Sequence, residues 1–452
     1  MNNQSEKKSR LESFRDNPPK ALWRLAIPIM IGMGIQTVYS LVDMIYIGRL
    51  GSDALTAIAF NMPLFFLILG LTMGLGSGVT ASIARFIGAK DKINADNSAE
   101  HTMILAFVIS AVMSIMGFLF GKQMLMILGA ENNILDLSWS YLRIICIGLF
   151  FLVFSAFFRS ILSGEGDMKL PMIVSAIGTV LNIILDPIFI FGFKMGVAGA
   201  AIATIISQGI VFIIFVYLLF IKEHAYITFR MKDFSFSMDI INDILKVGLP
   251  ASVSMLIMSF GQAVFNRILV FYSSDSVAAY QIGGRIDMLI FLPIMSIAAA
   301  LTTIVGMFFG ANDLPRLKAI IKYGIQRSIF ITIIGSITVY IFAPIIVSVF
   351  TNSPVVHSQA VTYLRLITII YPGVSIGMTS GRVLQGLGLG MPSLVITIIR
   401  VLGVSAPLAL FFTFVMGKPI EWIWYSMMSS TVFAVVIGLT WLRFAIKRIS
   451  PT

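Results

Sequence analysis

The chain has a single cysteine, three histidines and little charge of either sign. Cys146 has no second thiol to pair with, so no internal disulfide forms, and one thiol says nothing about redox compartment. His101, His224 and His357 are scattered without metal-ligand spacing, which argues against a metalloenzyme. Only 12% of the 452 residues are Asp, Glu, Lys or Arg, against 58% hydrophobic. A soluble domain needs far more polar surface than that. No Gly-rich loop ending in Gly-Lys-Ser/Thr occurs, so no bound nucleotide supplies energy and no nucleotide or other cofactor is expected. The glycine-rich stretch "GLTMGLGSGVTAS" (70–82) sits inside an apolar run and reads as a close helix contact. The opening segment "MNNQSEKKSRLESFRDNPPK" lacks a short apolar core with a small-residue cleavage site. The first span is therefore expected to serve as its own insertion signal.

What the chain does have is a succession of apolar runs of bilayer-crossing length, about 20 residues. Twelve spans are expected, at 22–47, 54–84, 99–120, 134–162, 170–192, 197–221, 245–271, 277–306, 318–341, 357–383, 391–415 and 421–446. The fold class is an all-α polytopic membrane protein. A net charge of +11 suggests nucleic acid in a soluble protein, but here the basic residues cluster in alternate loops. "ARFIGAKDKINAD", "RMKDF", "DLPRLKAIIKYG" and "RFAIKRIS" carry them; the loops between hold Arg49, Lys122, Lys194 and Lys418. The positive-inside rule then places both termini in the cytoplasm of a cell-membrane protein, with lipid rather than nucleic acid as its surroundings.

An internal repeat runs at a constant offset of 222 residues, as from Pro28 to Pro250. "FIGAKD" (86–91) matches "FFGAND" (308–313), "YLR" recurs at 141–143 and 363–365, and Gly164 and Gly166 return as Gly386 and Gly388. Six spans per half is an even number, so both halves enter from the same side. Two six-helix lobes related by a pseudo-twofold axis along the membrane normal follow. The expected division is a cytoplasmic segment 1–21, an N-lobe 22–221, a cytoplasmic linker 222–244, a C-lobe 245–446 and a tail 447–452. Within the linker, "MDIINDILK" has the pattern of an amphipathic helix on the membrane surface.

Two carboxylates break the apolar pattern of the N-lobe, and intramembrane carboxylates are costly enough to mark a pathway or a partner. By helix rise, Asp43 in "YSLVDMIYIGRLG" lies roughly 6 Å below the outer end of span 1. Asp186 in "LNIILDPIFIFGF" lies roughly 9 Å below the outer end of span 5. Asn182 is one turn deeper than Asp186 on the same face, and Thr204 in span 6 reaches a similar level. Tyr39 and Gln36 continue the Asp43 face, and Gln208 lies one turn below Thr204. Pro187 frees the carbonyl of Ile183, and Pro28 weakens span 1, a plausible moving part. Such a set holds a proton or offers oxygen ligands to a small cation, and both remain open. At the repeat offset Asp43 becomes Phe265 and Asp186 becomes Leu408, which assigns the ion chemistry to the N-lobe. Arg267, Arg285 and Asp287 in spans 7 and 8 read as a structural ion pair, with ligand binding or gating as the alternative.

The paired six-span lobes, "LVDMIYIGRLG", "SGEGDMKLPM" and "QGLGLGMPS" resemble the multidrug and toxic compound extrusion (MATE) family over nearly the whole chain. Asp43 and Asp186 match the N-lobe carboxylates of its DinF-like branch. The resemblance implies a cation site at Asp43, Asn182, Asp186 and Thr204, taking H+ or Na+. It also implies chamber residues Tyr39 and Gln36, a bend at Pro28, and efflux of organic cations and drugs by cation antiport. The NorM-like branch carries acids in spans 7 and 10; "ASVSMLIMSFGQAVFNRILVF" and "AVTYLRLITIIYPGVSIGMTSGRVL" have none. The expected protein is a monomeric exporter working by alternating access, not an enzyme. The alternative is a lipid-linked precursor flippase, which calls for a basic central cavity.

Overall fold

Every apolar run marked in the sequence becomes a helix, usually a few residues longer than the run itself. A computed structural model describes residues 10–229 and 234–449. Residues 230–233, within the stretch "RMKDF", the first nine residues and the last three lie outside that description. Twelve helices long and apolar enough to cross a membrane are present among the described residues. They are α1 (Pro18–Gly48), α2 (Ser52–Gly88), α3 (Lys92–Ile127), α4 (Asn133–Gly164), α5 (Lys169–Gly192) and α6 (Gly196–Ile221) in the first half. The second half holds α7 (Met238–Tyr272), α8 (Ser274–Gly310), α9 (Leu314–Ser348), α10 (Pro354–Gly386), α11 (Met391–Val415) and α12 (Glu421–Ile449). A short helix, Leu11–Asp16, precedes them.

Local chemistry sets the helix starts. Asn17 accepts from the Lys20 amide ahead of Pro18, and Ser273 accepts from the Ser276 amide at the start of α8. Asp91 and Asp313, repeat partners, each accept from the amide three residues on. Such caps satisfy amides that the first turn leaves without intrahelical partners. The repeat is also visible in the backbone, since Gly166 and Gly388 share a positive φ of 82° and 84°.

One sequence expectation is corrected here. "MDIINDILK" is not a separate surface helix: it forms the first turns of α7, which runs unbroken from Met238 to Tyr272. The reason lies in its contacts. Ile240 and Ile244 are buried in the main apolar cluster, and Asp243 is held by Ser82 and Arg85 of α2.

The lobes meet along α2 and α7, with α1 and α8 beside them. The small-residue stripe of α2 makes this possible. A methyl group on Gly74 would collide with the Ser252 backbone, and one on Gly78 with Ile244 and Gly248. All of these contacts lie toward the face that carries both termini. A single buried cluster there draws on both lobes, including Leu75, Val79 and Ile83 with Ile244, Ile304 and Phe308. Toward the opposite face the buried clusters separate. One belongs to the N-lobe, around Ile47, Tyr141 and Ile190; another belongs to the C-lobe, around Phe265, Tyr363 and Trp424. The molecule is therefore closed at the terminus face and parts toward the far face.

Candidate functional site

In the far half of the N-lobe, α1, α4, α5 and α6 surround a polar chamber. Asp186 is buried, at 1% exposure, and Asn182 one turn earlier is buried with it. The Asn182 amide donates to Asp186 Oδ1 at 3.2 Å. The other oxygen, Oδ2, is buried without a hydrogen-bond partner. A buried carboxylate oxygen left unpaired is uncommon, because it carries the full desolvation cost of the group. Asp43 is half-buried and lies within electrostatic reach of Asp186. Thr204 Oγ1 donates to the Ala200 carbonyl at 2.9 Å, which leaves its lone pairs free to accept. The Tyr39 phenol lies among Asp43, Asp186 and Thr204.

The backbone leaves the regular α-helix just after Asp186, as it does again at Phe411–Val415 near the repeat-related place in the C-lobe. Pro187 has no amide hydrogen, and a π-helical turn, Ile188–Gly192, follows it directly. Widened turns of this kind are frequent at functional sites because they release backbone carbonyls from the regular ladder. Pro28, by contrast, sits inside an α1 that stays helical from Pro18 to Gly48.

Of the residues singled out in the sequence, Asp43, Asn182, Asp186, Thr204 and Tyr39 are brought together. Gln36 is exposed two turns below Asp43, and Gln208 is half-buried. Among the described residues neither is hydrogen-bonded into the set. Sequence reasoning missed Tyr141 of α4, which is 8% exposed and faces both carboxylates. It opens the repeated "YLR" triplet, so the signal was present but was read only as a marker of duplication.

The expected ion pair of Asp287 with Arg267 or Arg285 is corrected. Both arginines are exposed, and Asp287 is instead bound by two tyrosines of α10. Tyr363 donates to its Oδ2 at 2.6 Å, and Tyr371 donates to its Oδ1. Phenols packed inside the C-lobe reach the carboxylate, while Arg267 and Arg285 make no ion pair among the described residues.

A third polar cluster closes the terminus face. Glu165, just after α4, accepts from the amides of Tyr226 at 2.9 Å and Ile227 at 3.3 Å. Burial pushes its carboxyl up to about 7, opposed by Arg10 and those two amides. Burial also raises neighbouring Asp167, but its bond to Arg10 at 2.7 Å and the Leu170 amide prevail, holding it below the usual range.

With this geometry in hand, relatives can be placed. The family model described as MatE matches residues 28–188 and again 250–411. The two starts differ by 250 − 28 = 222 residues, the offset of the internal repeat. The probable multidrug resistance protein YoeA of Bacillus subtilis is 27% identical, over 95% of each chain. A crystal structure of MATE in complex with MaL6 superposes with a TM-score of 0.93 at 34% identity, covering 98% of this chain and 99% of that one. An outward-facing multidrug resistance MATE family transporter of the MOP superfamily gives 0.92 at 34%, covering 98% of each chain. With the family pattern matched in both halves and the architecture shared end to end, the chain belongs to the MatE family, as a polytopic membrane transporter and not an enzyme.

Proposed function

We propose that the protein exports amphipathic, often cationic organic compounds by alternating access, in antiport with H+ or Na+ bound in the N-lobe chamber. The observation that carries this reading is the unpaired, buried Oδ2 of Asp186 beside Asp43. Such an oxygen accepts a proton directly. With the Asn182 carbonyl oxygen, the Thr204 hydroxyl and the carbonyl released by Pro187, it also fits the hard oxygen ligands a small monovalent cation takes. Loading the site removes the repulsion between two carboxylates in a poorly solvated chamber, so the loaded and empty N-lobe prefer different arrangements. Drug and cation then displace one another through that preference.

The same reading places the basic terminus face in the cytoplasm of a cell-membrane protein. The closed terminus face and parted far face then correspond to an outward-open state. Residues 22–221 and 245–446 act as the two lobes, 222–244 joins them and enters α7 at Met238, and a single chain encloses the cleft without a partner subunit. Relatives named as multidrug resistance proteins support the substrate class. A lipid-linked precursor is the less favoured reading, because the curated relatives are named for multidrug resistance and export.

The test is efflux of a fluorescent lipophilic cation from proteoliposomes, with proton and sodium gradients imposed separately and Asp43→Asn alongside. Drive by one gradient, lost in the variant, is expected and names the ion. Drive by neither gradient in folded protein overturns antiport.

A further inference from the structure

We infer that Arg159 holds the anionic group, a carboxylate or phosphate, of an amphipathic compound at the floor of the N-lobe chamber. The inference rests on the export reading above and names a feature of the cargo that the coupling carboxylates do not recognise.

Helix geometry puts Arg159 on the inner face of α4. It follows Tyr141 by 159 − 141 = 18 residues, five full turns, so both side chains leave the helix in one direction. Tyr141 faces Asp43 and Asp186. The residues on either side of Arg159 agree. The Ser160 carbonyl accepts from Thr80 of α2, and the Phe158 ring packs on Phe212 and Phe215 of α6. Arg159 therefore enters the lobe between α2 and α6. The facing wall belongs to α5, where Asp186, Asn182, Thr179 and Ser175 share one face at spacings of four, three and four residues. Arg159 is five residues from the end of α4 and Ser175 six from the start of α5, so both lie roughly 8 Å above those helix ends. Below them the layer is shut: Thr303 of α8 donates to the Ser163 carbonyl at 2.9 Å, and Phe14 covers Gly166.

These groups are unpaired and reachable. Arg159 is half-buried and makes no hydrogen bond or ion pair among the described residues. Its nitrogens are not sealed in, as the unpaired Arg15 Nε and Arg85 Nη1 are. Ser175, Thr179 and Gln208 are likewise half-buried and unbonded among the described residues, whereas Thr204 and Ser207 bond back to the preceding turn. Unpaired polar groups on inward faces that stay accessible line open space. One turn above Arg159, Ser155 adds a fully buried hydroxyl without a partner.

A guanidinium inside a membrane span is costly and normally rests against an acid. Here Asp186 stands roughly 16 Å above the level of Ser175 by helix rise, beyond an ion pair. The scaffold does not require the charge. At the repeat offset the position is Gly381, where an added methyl would meet nothing nearer than Ser393 at 3.8 Å. A fixed positive charge with all its donors free suits a carboxylate or phosphate, which it grips through two parallel hydrogen bonds. The chamber thus has acids near its mouth and a base at its floor. Cargo seated on Arg159 leaves the carboxylates to the coupling ion.

The experiment is equilibrium binding to purified full-length protein in nanodiscs, read by fluorescence anisotropy with riboflavin 5′-phosphate and riboflavin. The two probes share an aromatic body and differ by one phosphate. Wild type is expected to bind the phosphate form at least about tenfold more tightly, as one charge-assisted pair contributes. Arg159→Gln should erase that difference and leave riboflavin binding unchanged, while Arg159→Lys should keep part of it. Because the guanidinium has no partner to lose, the unfolding temperature of Arg159→Gln should match or exceed that of wild type. Competition by farnesyl diphosphate separates the sources of the anion. Tighter binding of farnesyl diphosphate than of the flavin phosphate keeps the site but assigns it to a lipid-linked phosphate, which revises the export reading. Weaker binding keeps both the site and a soluble cargo. Equal affinity of the two flavins in wild type, no saturable binding of the phosphate form, or loss of both flavins alike in folded Arg159→Gln overturns the site. The export reading then still stands on its own gradient-driven efflux test.

Discussion

The closed terminus face rests on an ion pair that spans the lobes, and removing it should open that face. Arg85 of α2 contacts both oxygens of Asp243 on α7, at 2.7 and 2.5 Å, and Ser82 donates to the same carboxylate at 2.6 Å. The Arg85 side chain is 12% exposed and that of Asp243 is 34% exposed. Hydrogen bonds to charged groups contribute about 1.5–3 kcal/mol when protected. Partial exposure of Asp243 lets water screen the pair, leaving about 1–2 kcal/mol for the closed arrangement. These contacts exist only while α2 and α7 are together here. Asp243→Asn should therefore shift the closed-to-open ratio by about five- to thirtyfold, the factor that one to two kcal/mol corresponds to. The assay is a spin–spin distance distribution between labels at Lys90 and Asn312, exposed repeat-related loop positions on the two lobes, in a Cys146→Ala background. A longer-distance population should grow in the variant, and the paired exchange Arg85→Asp with Asp243→Arg should bring back the short one. An unchanged distribution in folded Asp243→Asn would refute the assignment of this pair as a latch.

Two further outcomes follow from features at the same face. Glu165 sits at about 7 through burial, above its ordinary 4.5, so the folded state holds a proton that the unfolded state releases. Its stabilising influence is full below about 4.5 and is lost as pH rises through about 7, a span of about 3 kcal/mol at most. Thermal unfolding from pH 5 to 8 should show wild type losing ground to Glu165→Gln, and a constant difference would reject the buried-proton account. Gly78→Leu should lower the unfolding temperature and abolish efflux, because overpacking costs about 1–3 kcal/mol and here pushes the lobes apart. Gly34→Ala, where the structure leaves open space, should do neither.

The sequence showed the depth of a residue far better than its azimuth. Counting along each span placed Asp43, Asp186, Asn182 and Thr204 at one level, and the structure brings them together because residues three and four apart share a helix face. Gln36 and Gln208 satisfied the same rule without joining the hydrogen-bonded set, since depth does not say which neighbour a helix turns toward. Tyr141 was invisible for a different reason: a tyrosine in an apolar run is ordinary packing until the carboxylates opposite it are known. The mispairing of Asp287 came from weighing charge against charge. Inside a lobe, buried phenols of α10 were nearer than guanidinium groups that extend to the surface. The first turns of α7 were misread because their apolar face, Ile240 and Ile244, taken for one that lies on lipid, is buried in the main cluster, with Asp243 beside it reaching Ser82 and Arg85 of α2.

The short helix Leu11–Asp16 has a thermodynamic consequence of its own. Leu11 and Phe14 are fully buried at the seam between the lobes, with Phe14 against Gly166 and Met307. Arg10 bonds Asp167 on the N-lobe side, while the Arg15 carbonyl accepts from Arg316 on the C-lobe side. A helix of six residues cannot hold its shape in water, because so few hydrogen bonds do not offset the cost of nucleation. When the terminus face opens and the seam widens, this helix must therefore melt as it leaves. The chain recovers conformational freedom at the moment it gives up apolar contact, so disorder acts as a counterweight to opening. Closing reverses the exchange, and the segment has to find its helix again in the narrowing gap.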